Sequence, residues 1–170
     1  MSSLEVLATG PLATVQDLGR PGYARWGVGV SGAADRRALR LGNRLVGNPE
    51  GAAGLEATFG GLALRPDGDV VLAVTGARCA ATVDARPVGH DCLVTVRAGS
   101  VLRLDTPSAG LRAYVAVRGG VAVDPVLGSR STDLLSGLGP PVLTADTLLP
   151  VGPPPPRFPC VEVAPVADPP

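Results

Sequence analysis

The stretch Arg112-Ala113-Tyr114-Val115-Ala116-Val117-Arg118 alternates along its whole length. Ala113, Val115 and Val117 share one face, and Arg112, Tyr114, Ala116 and Arg118 share the other, which is the two-residue period of a β-strand. Outward from it, the chain breaks into similar short apolar runs: Leu4–Leu7, Leu62–Leu64, Val70–Val74, Cys79–Val83, Leu93–Val96 and Val101–Leu104. In the last of these, Leu102 and Leu104 point opposite to Arg103 and Asp105. Turn residues fill the gaps, as in Pro66-Asp67-Gly68-Asp69. A spacing of about 8–12 residues between such runs predicts a mostly β domain, a barrel or a sandwich.

One segment has a different period. Ala34, Ala38, Leu41 and Leu45 recur at helical spacing, while Arg36, Arg37, Arg40 and Arg44 take the other faces. This predicts one inserted helix over residues 33–46, with Ser31 as its N-cap, Asp35 in its first turn and Gly47-Asn48-Pro49 as its stop.

The chain of 170 residues carries 15 basic and 15 acidic residues, and every basic residue is Arg. The lack of Lys excludes a Lys nucleophile, a Schiff base and a P-loop Lys. Zero net charge argues against nucleic acid or an anionic membrane as the main partner. Hydrophobic residues make up 45% but aromatics only 3%, so the core must be built from Val, Leu and Ala. Nine of the 18 prolines fall in the last 21 residues. The expected division is therefore a body over residues 1–149 and a Pro-rich tail or linker over 150–170, outside the core, in which Val161–Val163 forms at most one edge strand. Cys79, Cys92 and Cys160 show no metal-binding spacing, and a single His excludes a multi-His metal site. Scattered thiols, no basic leader followed by an apolar run, and no apolar stretch of about 18 residues lead to the expectation of a cytoplasmic protein.

Several polar groups stand out. Gly27-Val28-Gly29-Val30-Ser31-Gly32 matches the dinucleotide fingerprint, but a Pro-Gly break and two Arg precede it where a buried strand is required. A loop that lets backbones pack closely is the better reading. Gln16-Asp17-Leu18-Gly19-Arg20 places an amide, a carboxylate and a guanidinium on one loop; it either binds an anion or amide, or pins itself through an Asp–Arg pair. Asn43 lies between core-facing Leu41 and Leu45, within reach of a buried backbone group or a ligand. Glu56 sits in the apolar run Leu55–Phe59, where a carboxylate must be paired or serve as a base. His90 lies in a loop sequence and reads as solvated. No G-x-S-x-G elbow supports a hydrolase triad.

Taken in order, Thr14–Gly22, Gly27-Val28, Ser31–Asp35, Asn43–Asn48 and Leu55–Thr58 form one string. It continues through Thr75–Ala77, Ala98-Gly99, Arg112–Gly120 and Leu127–Thr132. This string resembles the N-terminal half of a family that comprises biotin-dependent carboxyltransferases, allophanate hydrolase subunit 2 and the C-type subunit of 5-oxoprolinase. Gly29, Pro140 and Ala145 depart from its usual pattern.

The resemblance implies a cyclophilin-like β-barrel. It implies one component of an ATP-dependent 5-oxoprolinase, a hydrolase that opens 5-oxoproline to glutamate, or of a related carboxyltransferase. It also implies a subunit-1-like partner (the B-type subunit), a third 5-oxoprolinase subunit, ATP bound on another subunit, and biotin in the carboxyltransferase relatives. The expected catalytic residues are Gln16, Asp17, Arg20 and Glu56, and the expected substrate-binding residues are Ser31, Asp35, Asn43 and Arg118, acting on a small anionic or amide substrate. The alternative is a non-catalytic module that docks on the subunit-1-like partner. The family's domain is nearly twice this length, so barrel edges are expected to need cover, which favours self-association.

Overall fold

The structure is a computed structural model, and it describes residues 2–159 and 161–164. Eleven strands and one α-helix are assigned among them: β1 (Ser3–Thr9), β2 (Leu12–Gln16), α1 (Arg36–Leu45), β3 (Gly54–Thr58), β4 (Leu62–Pro66), β5 (Val70–Arg78), β6 (Ala81–Val83), β7 (Arg86–Val88), β8 (Leu93–Val96), β9 (Leu102–Leu104), β10 (Ala109–Val117) and β11 (Leu148–Pro150). They form two antiparallel sheets, ordered β11-β1-β4-β9-β6-β7 and β2-β3-β10-β5-β8. The mostly β fold with one helix is as expected. The two sheets are not closed into a barrel.

The alternation in β10 explains the layering. Ala113, Val115 and Val117 belong to the main core shared by both sheets, with Val15, Leu55, Leu64, Leu72 and Leu102. Tyr114 and Ala116 point the other way and pack under α1, Tyr114 with Leu39 and Ala116 with Leu45 and Val46. A central strand buried on both faces explains why this stretch carries no charge between Arg112 and Arg118.

The helix starts later than the sequence suggests, and its buried stripe is rotated. Asp35, not Ser31, is the N-cap: its carboxylate accepts from Arg37 N and Ala38 N. The cap satisfies two of the amides that a helix start leaves open. Ala34 precedes the helix. The buried positions are Ala38, Leu39, Gly42, Asn43 and Leu45. Gly42 lets the helix lie close to the sheet, because a Cβ there would stand 3.0 Å from Ala116 Cβ and 3.2 Å from Thr75 Oγ1.

The outer strands are covered within the chain. Thr132 N and Leu143 N donate to Val15 and Ala13 along the free side of β2, and Leu93 N in β8 donates to Glu162. β11 accepts from Ala122 N at Pro150, and β7 carries Pro87. Unpaired strand edges invite association, and these devices blunt them. The Pro-rich stretch does not leave the core at residue 150. Pro150 pairs with Ser3, and Val151 is buried in the main core. Past it, Arg118 donates to the carbonyls of Val46, Pro155 and Arg157 and stacks on Phe158, so residues 153–158 run as a strap past the end of α1. Val163 forms only a single bridge, to Cys92. Cys160 lies outside the described residues.

Candidate functional site

Three polar clusters hold the expected site residues, and they do not merge into one. The first is a knot of loops at the end of β2. Asp17, 7% exposed, accepts from Gly19 N (2.7 Å), Ser129 Oγ (2.7 Å), Ser131 Oγ and Arg130 N (2.6 Å). A buried carboxylate costs stability unless its acceptors are filled, and here both oxygens are. Arg20, 1% exposed, donates to the carbonyls of Ser131 and Val126 and stands 3.8 Å from Asp133 Oδ2. The expected Asp17–Arg20 pair is not formed; each residue binds the 126–133 segment instead. The Ser136 hydroxyl, the amides of Leu135 and Ser136, and Arg20 hold the Asp133 carboxyl below its ordinary range.

Gln16 Nε2 donates to Thr14 Oγ1 (3.1 Å) and to the Thr132 carbonyl (3.0 Å), which also accepts from Ser31 Oγ at 3.3 Å. Arg20 N donates to the Val30 carbonyl and Ala33 N to the Asp17 carbonyl. The Gly27–Gly32 stretch is therefore a loop packed on the Asp17–Arg20 loop, and no strand precedes it. Among the described residues, three buried polar atoms in this knot have no hydrogen-bond partner: Gln16 Oε1, Thr132 Oγ1 and Arg20 Nη1, the last of which stands 3.8 Å from Asp133 Oδ2.

The second cluster centres on Glu56, 4% exposed. Its Oε2 accepts from Tyr114 Oη (2.7 Å) and Ala34 N (2.9 Å), and its Oε1 from Arg112 Nη1 (2.8 Å). Tyr114 Oη in turn accepts from Asp35 N at 2.7 Å. Burial pushes the Tyr114 phenol well above its ordinary range, so it stays a donor to the carboxylate. Glu56 thus holds the chain segment that enters α1.

The third cluster ties the end of α1 to the sheet. Asn43 Nδ2 donates to the carbonyls of Glu50 and Ala52, and its Oδ1 accepts from Asn48 Nδ2, which also donates to the Val117 carbonyl. Arg118 joins this region to the strap. Each group here has a partner within the chain.

His90 is less solvated than its loop sequence suggests: Nε2 lies 3.2 Å from the Ala77 carbonyl and Nδ1 3.0 Å from Asp91 Oδ2. Burial, with nearby Asp105 and Asp91 respectively, pushes the Cys79 and Cys92 thiols up, away from the reactive thiolate. Among the described residues no three His, Cys, Asp or Glu side chains group to hold a metal.

Residue types alone missed Ser129, Ser131 and Thr132 as partners of Asp17 and Gln16, and Tyr114 and Arg112 as partners of Glu56. Tyr114 offered a signal. It is one of only two tyrosines, on a strand with two apolar faces, where its hydroxyl had to find a partner.

A two-sheet β domain with one capped helix on its outer face and this ordered set of loop motifs defines a carboxyltransferase-type domain. Residues 26–170 match the family model "Carboxyltransferase domain, subdomain A and B". The chain belongs to that family.

Among characterised relatives, the C-type subunit of 5-oxoprolinase from Escherichia coli is 43% identical over 136 residues, covering 80% of this chain and 44% of that protein. Urea amidolyase of Lachancea kluyveri is 38% identical over 138 residues, covering 81% of this chain and 8% of that protein. The crystal structure of the K. lactis urea amidolyase superposes with a TM-score of 0.90 at 34% identity, over 96% of this chain and 10% of that one. The chain spans less than half the length of the E. coli 5-oxoprolinase component it matches.

Proposed function

We propose that this chain is one part of a multi-subunit, ATP-dependent complex that opens a cyclic amide or transfers a carboxyl group, with 5-oxoproline ring opening as the specific reaction. We further propose that the loop knot holds the substrate's amide. The observation that carries this is a set of three buried atoms without a hydrogen-bond partner, Gln16 Oε1, Thr132 Oγ1 and Arg20 Nη1 (the last 3.8 Å from Asp133), on side chains bonded to or beside one short segment. An acceptor and two donors on the same knot of loops match an amide, which offers one N–H and one carbonyl oxygen. Gln16 accepts the ring N–H. Thr132 and Arg20 donate to the oxygen where charge develops as the amide is attacked, the place at which fixed donors matter most. Asp17 positions the 129–131 segment. Ser31 fixes the Thr132 backbone, and Asp35 and Glu56 fix the loop that carries Ser31. The atoms are buried, so entry of a substrate requires the knot to open locally.

A nucleotide phosphate does not fit at the start of α1, because Asp35 fills that helix end with a carboxylate and occupies its amides. The proposal assigns ATP to another subunit, and no step on this chain runs through it.

A second reading, a docking module without catalysis, is favoured by one observation. Leu135 is 98% exposed and Leu134 62%, and Val30 and Leu127 are also exposed, all beside segments that bind Arg20. Such a rim suits a partner subunit.

Co-expression with a subunit-1-like protein and the third subunit tests both readings. A stoichiometric complex with ATP-dependent 5-oxoproline turnover supports the catalytic reading. A complex that forms but does not turn over 5-oxoproline supports the docking module. A chain that stays alone contradicts both.

A further inference from the structure

A second, open site lies beside α1, and none of the knot residues lines it. It is a cleft of about 990 Å³ between the helix and the ends of β5 and β10. Its floor is made of small residues, among them Ala38, Gly76, Ala77 and Gly110, which leave depth where side chains would fill it. A Cβ at Gly76 would stand 2.5 Å from the Arg112 carbonyl. Five of the chain's 15 arginines line the walls: Arg37, Arg40 and Arg44 along one face of α1, and Arg78 and Arg112 from the sheet.

Only three carboxylates share the lining, and each is already engaged. Asp35 caps the helix, Asp91 pairs with Arg78 at 3.2 Å, and Glu50 pairs with Arg44 at 2.9 Å and Arg40 at 3.6 Å. Arg112 is held by Glu56 from behind. The Arg37 guanidinium makes no ion pair or hydrogen bond with any described residue. A chain with zero net charge thus gathers a third of its cations around one concave surface, which points to a ligand of opposite charge.

We propose that this cleft binds a small organic anion with two or more carboxylate or phosphate groups on a compact body, held chiefly by Arg37 and Arg40. Guanidinium forks recognise both kinds of group. The volume is in the range of small-molecule sites. Glu50 acts as a built-in competitor that occupies Arg40 and Arg44 until an anion displaces it.

Isothermal titration of the chain with citrate and with pyrophosphate, at matched ionic strength, tests this and separates carboxylate from phosphate. At least one probe is expected to bind saturably at millimolar concentration or below. Arg37→Ala should weaken it by about tenfold, the effect of losing one charge-assisted bond. Arg97→Ala, an exposed arginine outside the cleft, should leave it unchanged. Glu50→Gln should tighten it severalfold, a gain that a purely structural Glu50 would not give. No saturable binding of either probe, or equal weakening by Arg37→Ala and Arg97→Ala, overturns the proposal.

Discussion

Tyr114 and Glu56 face each other in register across β10 and β3, and the phenol donates to the carboxylate over 2.7 Å. The pair lies on the helix side of the sheet. Its polar atoms reach Asp35 N, Ala34 N and Arg112, so one cross-strand contact fixes where the helix begins. Tyr114→Phe keeps the ring and removes the hydroxyl, leaving Asp35 N without its acceptor. The expected cost is about 1–3 kcal/mol, read as a lower urea midpoint at unchanged slope. An unchanged midpoint would show that the hub contributes nothing to stability.

The same burial sets an alkaline limit. Tyr114 is held above its ordinary range, so the proton is present in both folded and unfolded chains below pH about 10. Above that, the unfolded chain loses the proton and the folded chain keeps it. Stability therefore falls as pH rises, by up to ~1.4 kcal/mol per pH unit. In a Tyr23→Phe chain, tyrosinate absorbance should appear only together with unfolding. A tyrosinate band that grows while circular dichroism stays native contradicts this.

Gly42→Ala reverses a common rule. In an open helix the change stabilises by about 1 kcal/mol. Here the new Cβ would press on Ala116 Cβ at 3.0 Å, so thermal stability should fall. Adding Ala116→Gly should recover part of the loss, and a rise in melting temperature for Gly42→Ala alone would refute the close approach.

Asp17 gathers donors from its own loop and from residues 129–131, so its removal should be strongly non-additive with that of its partners. Asp17→Ala leaves Ser129 Oγ, Ser131 Oγ and Arg130 N without their acceptor, at a cost of about 2–4 kcal/mol. In the triple variant Asp17→Ala, Ser129→Ala, Ser131→Ala, part of that cost should return, because the stranded hydroxyls are gone. Simple additivity in denaturation would show that the knot is not one network.

The strand content and layering were legible because period-2 alternation survives even in β10, where both faces are buried. The sheet count was not, since closure of a barrel depends on strand pairing far apart in sequence. The sequence pattern points to Ser31 as the N-cap and to Asp35 in the first turn, whereas Asp35 is the cap. What decided between them was the Tyr114–Glu56 contact, which fixes residues 34–35 just before the first turn and has no local signature. Gln16, Asp17 and Arg20 were visible as a polar loop. Their partners lie more than a hundred residues away in the 126–133 segment, so residue types could not say that Asp17 and Arg20 ignore each other.

The role proposed for the knot in substrate binding rests on Gln16 Oε1, Thr132 Oγ1 and Arg20 Nη1, and Thr132→Val isolates one of them. The change keeps the shape of the side chain and deletes a buried hydroxyl that has no hydrogen-bond partner among the described residues. Melting temperature and complex assembly should be unchanged or better. The kcat/KM of the reconstituted complex for 5-oxoproline should fall about tenfold, chiefly through kcat, the value of one hydrogen bond lost where charge develops. Unaltered KM and kcat in a well-folded Thr132→Val complex would contradict the account, because the hydroxyl would then serve neither the fold nor the substrate.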